Sequence, residues 1–126
     1  MIHNMKLNPE PFELICSGEK TIELRLYDEK RKLLNIGDRI IFTDTEDNNR
    51  QLITTVKNLY KFDSFSQLYS TLPLLECGYT SLDINTAKPE DMEAYYSKEL
   101  QNKYGVLGIE ISVDYISGDC NYLQKS

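Results

Sequence analysis

Alternating apolar and polar residues between Lys20 and Tyr27 predict a β-strand around which the rest of the chain is organised. Ile22, Leu24 and Leu26 occupy every second position. The residues between them are polar or aromatic: Thr21, Glu23, Arg25 and Tyr27. Because successive side chains of a strand point to opposite faces, this strand has one aliphatic and one polar face. We expect the aliphatic face to be buried and the polar face to be open to solvent or to a ligand.

The segments around this strand carry strand and helix patterns in turn. Residues 2–7 predict a strand with Lys6 on its polar side, and a helix follows that begins at Asn8 and Pro9 and ends at Gly18. Further strands are predicted over residues 39–43, 51–61 and 106–113, and further helices over 65–72 and 89–104. The order β, α, β, β, β, α, α, β predicts an α+β fold, a small and mostly antiparallel β-barrel with flanking helices.

The composition is that of one globular domain. Of the 126 residues, 40% are hydrophobic and 27% are charged, which is ordinary for a water-soluble domain. No stretch approaches the roughly 20 apolar residues of a membrane span, and the first residues lack the apolar segment of a signal peptide. We expect a cytoplasmic protein without membrane contact, with one domain over residues 1–115 and a flexible tail over 116–126.

The cysteines, the histidine and the net charge limit which metal sites, disulfides and ligands the chain can have. The three cysteines, Cys16, Cys77 and Cys120, are far apart, and His3 is the one histidine. We therefore expect reduced thiols, no cofactor and no metal, although cysteine-rich or carboxylate metal sites stay open as alternatives. The net charge of −6 is unfavourable for gripping a long nucleic acid, so it favours a ligand the size of a single nucleotide.

Two further segments are candidates for function. Lys30-Arg31-Lys32 is the one concentrated basic run; such a run is usually a solvated face, and the alternative is a contact for phosphate or RNA backbone. Residues 74–86 form a long irregular connection that contains Gly78 and Tyr79. Connections of that length are more often functional than short ones, so we interpret this segment as a lid or a pocket wall.

The spacing Gly18-x-Lys20-x-x-Glu23-x-Arg25 resembles the G-x-K-x-x-E-x-R signature of the ASCH domain, a relative of the PUA fold. The resemblance extends from about Lys6 to about Val113. It implies a PUA-like pseudobarrel with the lysine, glutamate and arginine of the signature in a cleft. Because a small barrel is filled by its own side chains, a ligand has to sit in such a cleft rather than inside the barrel.

The residue types of the signature suit a nucleobase, a nucleotide or RNA. Arginine offers a planar fork of donors, lysine a compact charge, and glutamate an acceptor for exocyclic amines. We predict a ligand-binding set of six residues: Lys6, Lys20, Glu23, Arg25, Tyr27 and Tyr79. The alternatives are structural roles without a ligand. Glu23 and Arg25 could form a surface ion pair worth about 0–1 kcal/mol, and Tyr27 could be an aromatic residue packed on the barrel.

An enzyme is the alternative function. Some small bacterial ASCH proteins are amidohydrolases that remove acyl groups from modified cytidine, such as N4-acetylcytidine. A threonine nucleophile stands there at the position of Glu23, so this chain departs from their pattern. The resemblance leaves Lys20, Glu23 and Glu90 as candidate catalytic residues, with Glu23 as a general base on water.

Electrostatics separates these functions. RNA binding predicts a basic stripe that joins Lys20, Arg25 and the run from Lys30 to Lys32, together with strong salt dependence. A nucleoside enzyme predicts a small enclosed cleft with weak salt dependence. A third function, a protein-interaction domain, predicts an exposed apolar patch. The oligomeric state is not predicted.

Overall fold

A computed structural model describes residues 1–118 of the chain. The strands in this range are β1 (Ile2–Leu7), β2 (Ile22–Leu26), β3 (Arg39–Asp44), β4 (Asp47–Phe62) and β5 (Val106–Ser117). The α-helices are α1 (Pro9–Cys16), α2 (Phe65–Thr71) and α3 (Lys98–Tyr104), and short 3-10 turns lie at Arg31–Leu33, Leu74–Glu76, Ile84–Thr86 and Pro89–Ala94. The predicted order of strands and α-helices is confirmed.

The five strands form one curled sheet in the order β1-β3-β4-β5-β2. Strands β1 and β3 are parallel, and the other three pairs are antiparallel. The register of the long β4–β5 ladder shifts between Ile53 and Thr54 and again between Val56 and Asn58. Such bulges bend a strand and increase its twist, which helps the sheet to curl into a half-barrel. The predicted α+β, mostly antiparallel barrel is confirmed.

The two edge strands of the sheet, β1 and β2, lie within side-chain reach of each other. Arg25 on β2 donates from Nη2 to the backbone oxygen of Lys6 on β1, at 2.7 Å. Lys30, just beyond β2, donates from Nζ to the backbone oxygen of Asn4, also at 2.7 Å. We call this gap between β1 and β2 the seam. Two cationic side chains bridge it where a closed barrel has ladder hydrogen bonds, and they occupy acceptors on an edge strand.

Hydrophobic side chains are buried on both faces of the sheet. The first core includes Phe12 and Ile15 of α1 together with Leu107 and Ile109 of β5, and it also contains Met5, Leu7, Leu34, Ile40, Phe42, Leu52, Val56 and Ile111. The second core joins β2 and β5 to α2, the connection after it and the 3-10 turn Pro89–Ala94 through Ile22, Leu24, Leu26, Phe65, Leu68, Cys77, Met92 and Val106. The sheet is therefore covered on its two sides.

This double burial decides where the two faces of β2 point. Its aliphatic face is buried, as predicted. Its polar face does not point to the outside of the sheet, because Glu23 and Arg25 pair across the ladder with Ile109 and Leu107 of the first core. Residues directly opposite in a ladder point to the same side of the sheet. The polar face of β2 therefore turns toward the inside of the curl, at the seam.

The long helix predicted over residues 89–104 is wrong, because two separate elements occupy this range. The 3-10 turn Pro89–Ala94 comes first, and α3 starts after Ser97, whose hydroxyl accepts a hydrogen bond from the backbone N–H of Leu100. A serine in this position is a typical helix N-cap, which ends the preceding turn and starts a new helix. The predicted apolar arc is therefore broken, and Tyr95 is 68% exposed.

At the C-terminal side, β5 continues through Ile116 and Ser117, which pair with β4. The rest of the predicted tail, residues 119–126, lies outside the described residues, as does Cys120. Cys77 is buried and Cys16 is half-buried. Within residues 1–118, none of the helices has the length and apolar character needed to cross a membrane.

Candidate functional site

A cleft of about 430 Å³ opens at the seam. The end of β1 and the start of α1 line one part of it. Its buried base is lined by Glu23 and Arg25 of β2 and by Lys20, just before this strand. The connection after α2 lines the rest through Cys77, Gly78, Tyr79 and Asp83, together with Asp91, Met92, Ala94, Tyr95 and Tyr96. The segment 74–86 therefore forms a wall of the cleft.

Three charged side chains meet at the base of this cleft. Lys20 Nζ lies 2.8 Å from Glu23 Oε1, and Arg25 Nε donates to Glu23 Oε2 at 2.7 Å. Glu23 is 5% exposed. A buried carboxylate is stable when each oxygen accepts from a cation, as here. We call these three residues the triad.

The environment of Glu23 favours its ionised form. Burial alone acts to raise the pKa of this carboxyl, but the charges of Lys20 and Arg25 and their hydrogen bonds outweigh burial. The pKa of Glu23 is therefore held below its ordinary value. A carboxylate with a lowered pKa and both oxygens occupied is a weak general base, which argues against the water-activating role considered for Glu23.

This pKa shift predicts an acid-sensitive stabilisation. The folded-state pKa of Glu23 is lower than its unfolded value of about 4.5, so its contribution is complete above that pH and is lost as the pH falls below it. Relative to Glu23→Gln, the wild-type protein is expected to lose unfolding free energy as the pH falls below 4.5, by at most about 1.4 kcal/mol per pH unit and only until the folded-state pKa is passed. Urea denaturation of both proteins from pH 7 to pH 3 measures this difference, and a difference independent of pH would contradict the assignment.

The stem of Lys20 lies beside Gly78. The φ of Gly78, +114°, lies in the region that favours glycine, and a Cβ at this position would lie 3.4 Å from Lys20 Cδ. The adjoining backbone is tied to the chain just before β2, because the N–H of Thr21 donates to the oxygen of Glu76 at 2.9 Å. The wall formed by segment 74–86 is therefore attached next to the triad.

A hydrogen-bonded chain fixes the aromatic side of the cleft. Tyr79 donates its hydroxyl proton to Asp91 at 2.7 Å, and its oxygen lies 2.7 Å from the hydroxyl of Tyr69. Because the one proton of Tyr79 goes to Asp91, the proton between the two tyrosines comes from Tyr69. Burial and these hydrogen bonds raise the pKa of Tyr79, while the bond from Tyr79 lowers the pKa of Asp91.

Cys77 is a poor nucleophile in this setting. It lies in the second core and is buried, and burial raises the pKa of its thiol to about 11. A thiol is reactive as its thiolate, so this cysteine serves packing. Among residues 1–118, no group of three His, Cys, Asp or Glu side chains is arranged to hold a metal ion.

Five of the predicted ligand-binding residues line the cleft: Lys6, Lys20, Glu23, Arg25 and Tyr79. Tyr27 does not; it packs against the first core and lines a second cavity, so its placement in the cleft is corrected. Glu90 is exposed and lies outside the cleft lining, because in the 3-10 turn its neighbour Asp91 points to Tyr79 instead. The catalytic role predicted for Glu90 therefore finds no support in this cleft and stays a prediction.

The basic run does not extend the triad into a stripe. Lys30 binds the backbone oxygen of Asn4, Arg31 pairs with Asp28 at 3.3 Å, and Lys32 pairs with Glu29 at 3.3 Å. These partners lie within the chain itself, and the run is absent from the cleft lining. Its side chains therefore serve the seam and the local turn.

Sequence reasoning missed Tyr95, which lines the cleft and exposes 68% of its surface. Its neighbour Tyr96 turns inward and stacks on Phe65, with ring centroids 6.3 Å apart. The Tyr95-Tyr96 pair stood in the sequence as part of a helical arc. Recognising Ser97 as an N-cap would have moved both tyrosines out of that helix.

The model of the ASCH domain family matches residues 5–113. This chain belongs to the ASCH domain family. The crystal structure of the hypothetical protein PH0355 is 35% identical to it over 90% of this chain and 99% of the other, with a TM-score of 0.74. The solution structure of protein PF0455 from Pyrococcus furiosus is 33% identical over 91% of this chain and 100% of the other, with a TM-score of 0.66.

The crystal structure of ASCH from Zymomonas mobilis has a TM-score of 0.66 at 15% identity, over 98% of this chain and 77% of the other, and supports the fold alone. No curated protein matches the chain. The ASCH domain has a PUA-like fold, which is associated with RNA binding.

Proposed function

We propose that the cleft binds one nucleobase of an RNA or a nucleotide, with the triad at its base. The observation that carries this proposal is the buried meeting of Lys20, Glu23 and Arg25 in an open cleft. Its volume of about 430 Å³ falls in the range of about 300–1,000 Å³ that small-ligand sites occupy. In a buried site of this kind, a few fixed polar groups provide specificity.

The triad keeps donors for a ligand. A guanidinium has five N–H donors, and Arg25 uses one toward Glu23 and one toward the backbone of Lys6. An ammonium has three, and Lys20 lies against Glu23 with one of them. Remaining donors can reach carbonyl oxygens of a base. The exposed ring of Tyr95 at the cleft offers a surface on which a base can stack.

The charge of the cleft favours a base over a chain of phosphates. Its lining contains three basic side chains, Lys6, Lys20 and Arg25, and four acidic ones, Glu10, Glu23, Asp83 and Asp91. A di- or triphosphate would bring several negative charges next to these carboxylates. An uncharged base with exocyclic amines, by contrast, finds acceptors among them.

Binding rather than hydrolysis is the proposed role. The pKa of Glu23 is lowered and both its oxygens are occupied, and the thiol of Cys77 is buried with a raised pKa. Hydrolysis of an acylated nucleoside needs an accessible base or nucleophile at the cleft. Incubation of the protein with N4-acetylcytidine is expected to release no acetate above background, and release that Glu23→Gln abolishes would overturn this assignment.

Thermal shift measures ligand binding to the cleft. We expect at least one nucleoside 5′-monophosphate or short RNA to raise the melting temperature of the wild-type protein. Tyr95→Ala and Lys20→Met are each expected to lower the affinity for that ligand about tenfold or more. For Tyr95→Ala the reason is the loss of stacking on one aromatic ring, which is worth about 1–3 kcal/mol. Methionine retains the stem that packs on Gly78.

The matched control is Tyr115→Ala, which removes a tyrosine that is 61% exposed on β5 and absent from the cleft lining. This variant is expected to bind as the wild type does. Equal affinity of the wild type, Tyr95→Ala and Lys20→Met for the same ligand would show that it binds elsewhere.

A further inference from the structure

A second cavity, of about 660 Å³, lies at the end of β2 that is distant from Lys20. It has a basic and aromatic lining, with Lys61 and Lys103 beside Tyr27 and Tyr104. One acidic side chain, Asp63, also lines it, and Phe62, Gln67, Asn102 and Gly105 complete the lining. We call it the basic aromatic cavity. Its charge differs in sign from that of the whole chain, which carries −6.

The two lysines of this cavity are held over aromatic rings. Lys61 Nζ lies 4.8 Å from the centroid of Tyr27, and Lys103 Nζ lies 5.0 Å from the centroid of Tyr104. Ion pairs in the described part of the chain involve neither of them. A cation over a ring retains N–H donors on its open side. Lys32 of the basic run also lies over Tyr27, at 5.9 Å, but it pairs with Glu29 as well.

Strand β2 connects the cleft to the basic aromatic cavity. Arg25 lines the cleft, and Tyr27, two residues further along the chain, lines the cavity. Two residues of extended chain cover about 7 Å. A ligand that extends beyond a single nucleotide can therefore reach both, with a base in the near-neutral cleft and phosphates in the cavity.

We propose that the basic aromatic cavity binds the phosphate backbone of a single-stranded RNA whose neighbouring base occupies the cleft. This inference rests on the proposed function and makes single-stranded RNA, rather than a free nucleoside, the ligand. The lysines contact phosphate oxygens, and the rings of Tyr27 and Tyr104 hold their ammonium groups in place.

The test compares two probes on three proteins. The probes are a fluorescein-labelled RNA of randomised sequence, about ten nucleotides long, and the nucleoside 5′-monophosphates used for the cleft. The proteins are the wild type, the double variant Lys61→Gln/Lys103→Gln and the charge-matched control Lys57→Gln/Lys98→Gln. All four lysines are exposed, so both variants are expected to fold as the wild type does.

The Lys61→Gln/Lys103→Gln variant is expected to bind the RNA about tenfold more weakly at physiological salt, because two phosphate contacts are lost. The slope of log K against log salt is expected to become shallower by about 1.4. Its binding of the monophosphates stays unchanged. The control keeps the wild-type affinity and slope for both probes.

Three outcomes would overturn the inference: wild-type RNA affinity and slope in Lys61→Gln/Lys103→Gln, an equal loss in the control, or no RNA binding by the wild type. Failure of the proposed function is a different result. In that case, Lys20→Met and Tyr95→Ala bind the monophosphates as tightly as the wild type does, whatever the double variant does with RNA.

Discussion

Glu23→Gln is expected to lower the free energy of unfolding at pH 7 by about 3–5 kcal/mol. The glutamine removes the negative charge between Lys20 and Arg25, whose cationic groups then face each other in a buried site. Breaking a buried ion pair by removing one partner is costly because the remaining charge is desolvated without compensation. The same amide also places an NH₂ group against a cation. Urea denaturation with extrapolation to water measures the change.

The control for this substitution is Glu29→Gln, which removes a carboxylate from the surface pair with Lys32. The Glu29 side chain is 82% exposed, so its loss is expected to change stability little. A comparable loss of unfolding free energy in both variants would mean that the buried triad stabilises the fold no more than a surface ion pair does. If the Glu23→Gln variant is unfolded in buffer, added salt or ligand can stabilise its folded state. The midpoints of urea denaturation of the two variants are then compared under that condition.

An apolar replacement of the triad separates stability from function. Buried ion pairs are often neutral or unfavourable relative to apolar side chains of similar volume. Lys20→Met/Glu23→Leu/Arg25→Met is therefore expected to recover much of the stability that Glu23→Gln loses, and to lose ligand binding entirely. Full binding by this variant would contradict a role for the triad in the cleft.

Local patterns in the sequence predicted the elements well, because each depends on neighbouring residues. The alternation of Ile22, Leu24 and Leu26 gives a strand in any fold, and Gly18, at φ +83°, follows α1 as expected. The signature spacing also placed Lys20, Glu23 and Arg25 together. Lys20 is three residues before Glu23, and Arg25 is two residues after it. Side chains at these spacings can meet around the central carboxylate without any contact from a distant part of the chain.

What the sequence could not supply is long-range. The polar face of β2 turns toward the seam, where β1, about 20 residues away, meets it through Lys6 and Arg25. No local pattern encodes that meeting. The contacts of Tyr27 are long-range as well, since Lys61 of β4 lies over its ring and its side chain packs against the first core. An alternating pattern predicts which residues share one face of a strand, but it does not predict which part of the chain packs against that face.

Arg50→Met is expected to lower the free energy of unfolding by about 3 kcal/mol. Arg50 donates from Nη1 to Asp44 Oδ2 at 2.8 Å, pairs with Glu13 through Nη2, and lies 4.7 Å from the ring centroid of Phe12. Asp44 is 2% exposed, so loss of the guanidinium leaves a buried carboxylate with the backbone N–H of Glu46 as a donor. Thermal and urea denaturation at neutral pH measure the loss.

The same substitution is expected to weaken ligand binding, although Arg50 lies outside the cleft lining. Arg50 fastens α1 to the end of β3 through Glu13 and Asp44, and α1 contributes Pro11 and Leu14 to the cleft. If α1 is less firmly held, it has to be ordered when a ligand binds, and the free energy of this ordering lowers the affinity. The matched control is Arg39→Met, the same change at an exposed arginine on β3, for which stability and binding are expected to stay at wild-type values. If Arg50→Met lowered stability but bound the ligand with wild-type affinity, α1 would be a plug of the barrel and not a wall that ligand binding depends on.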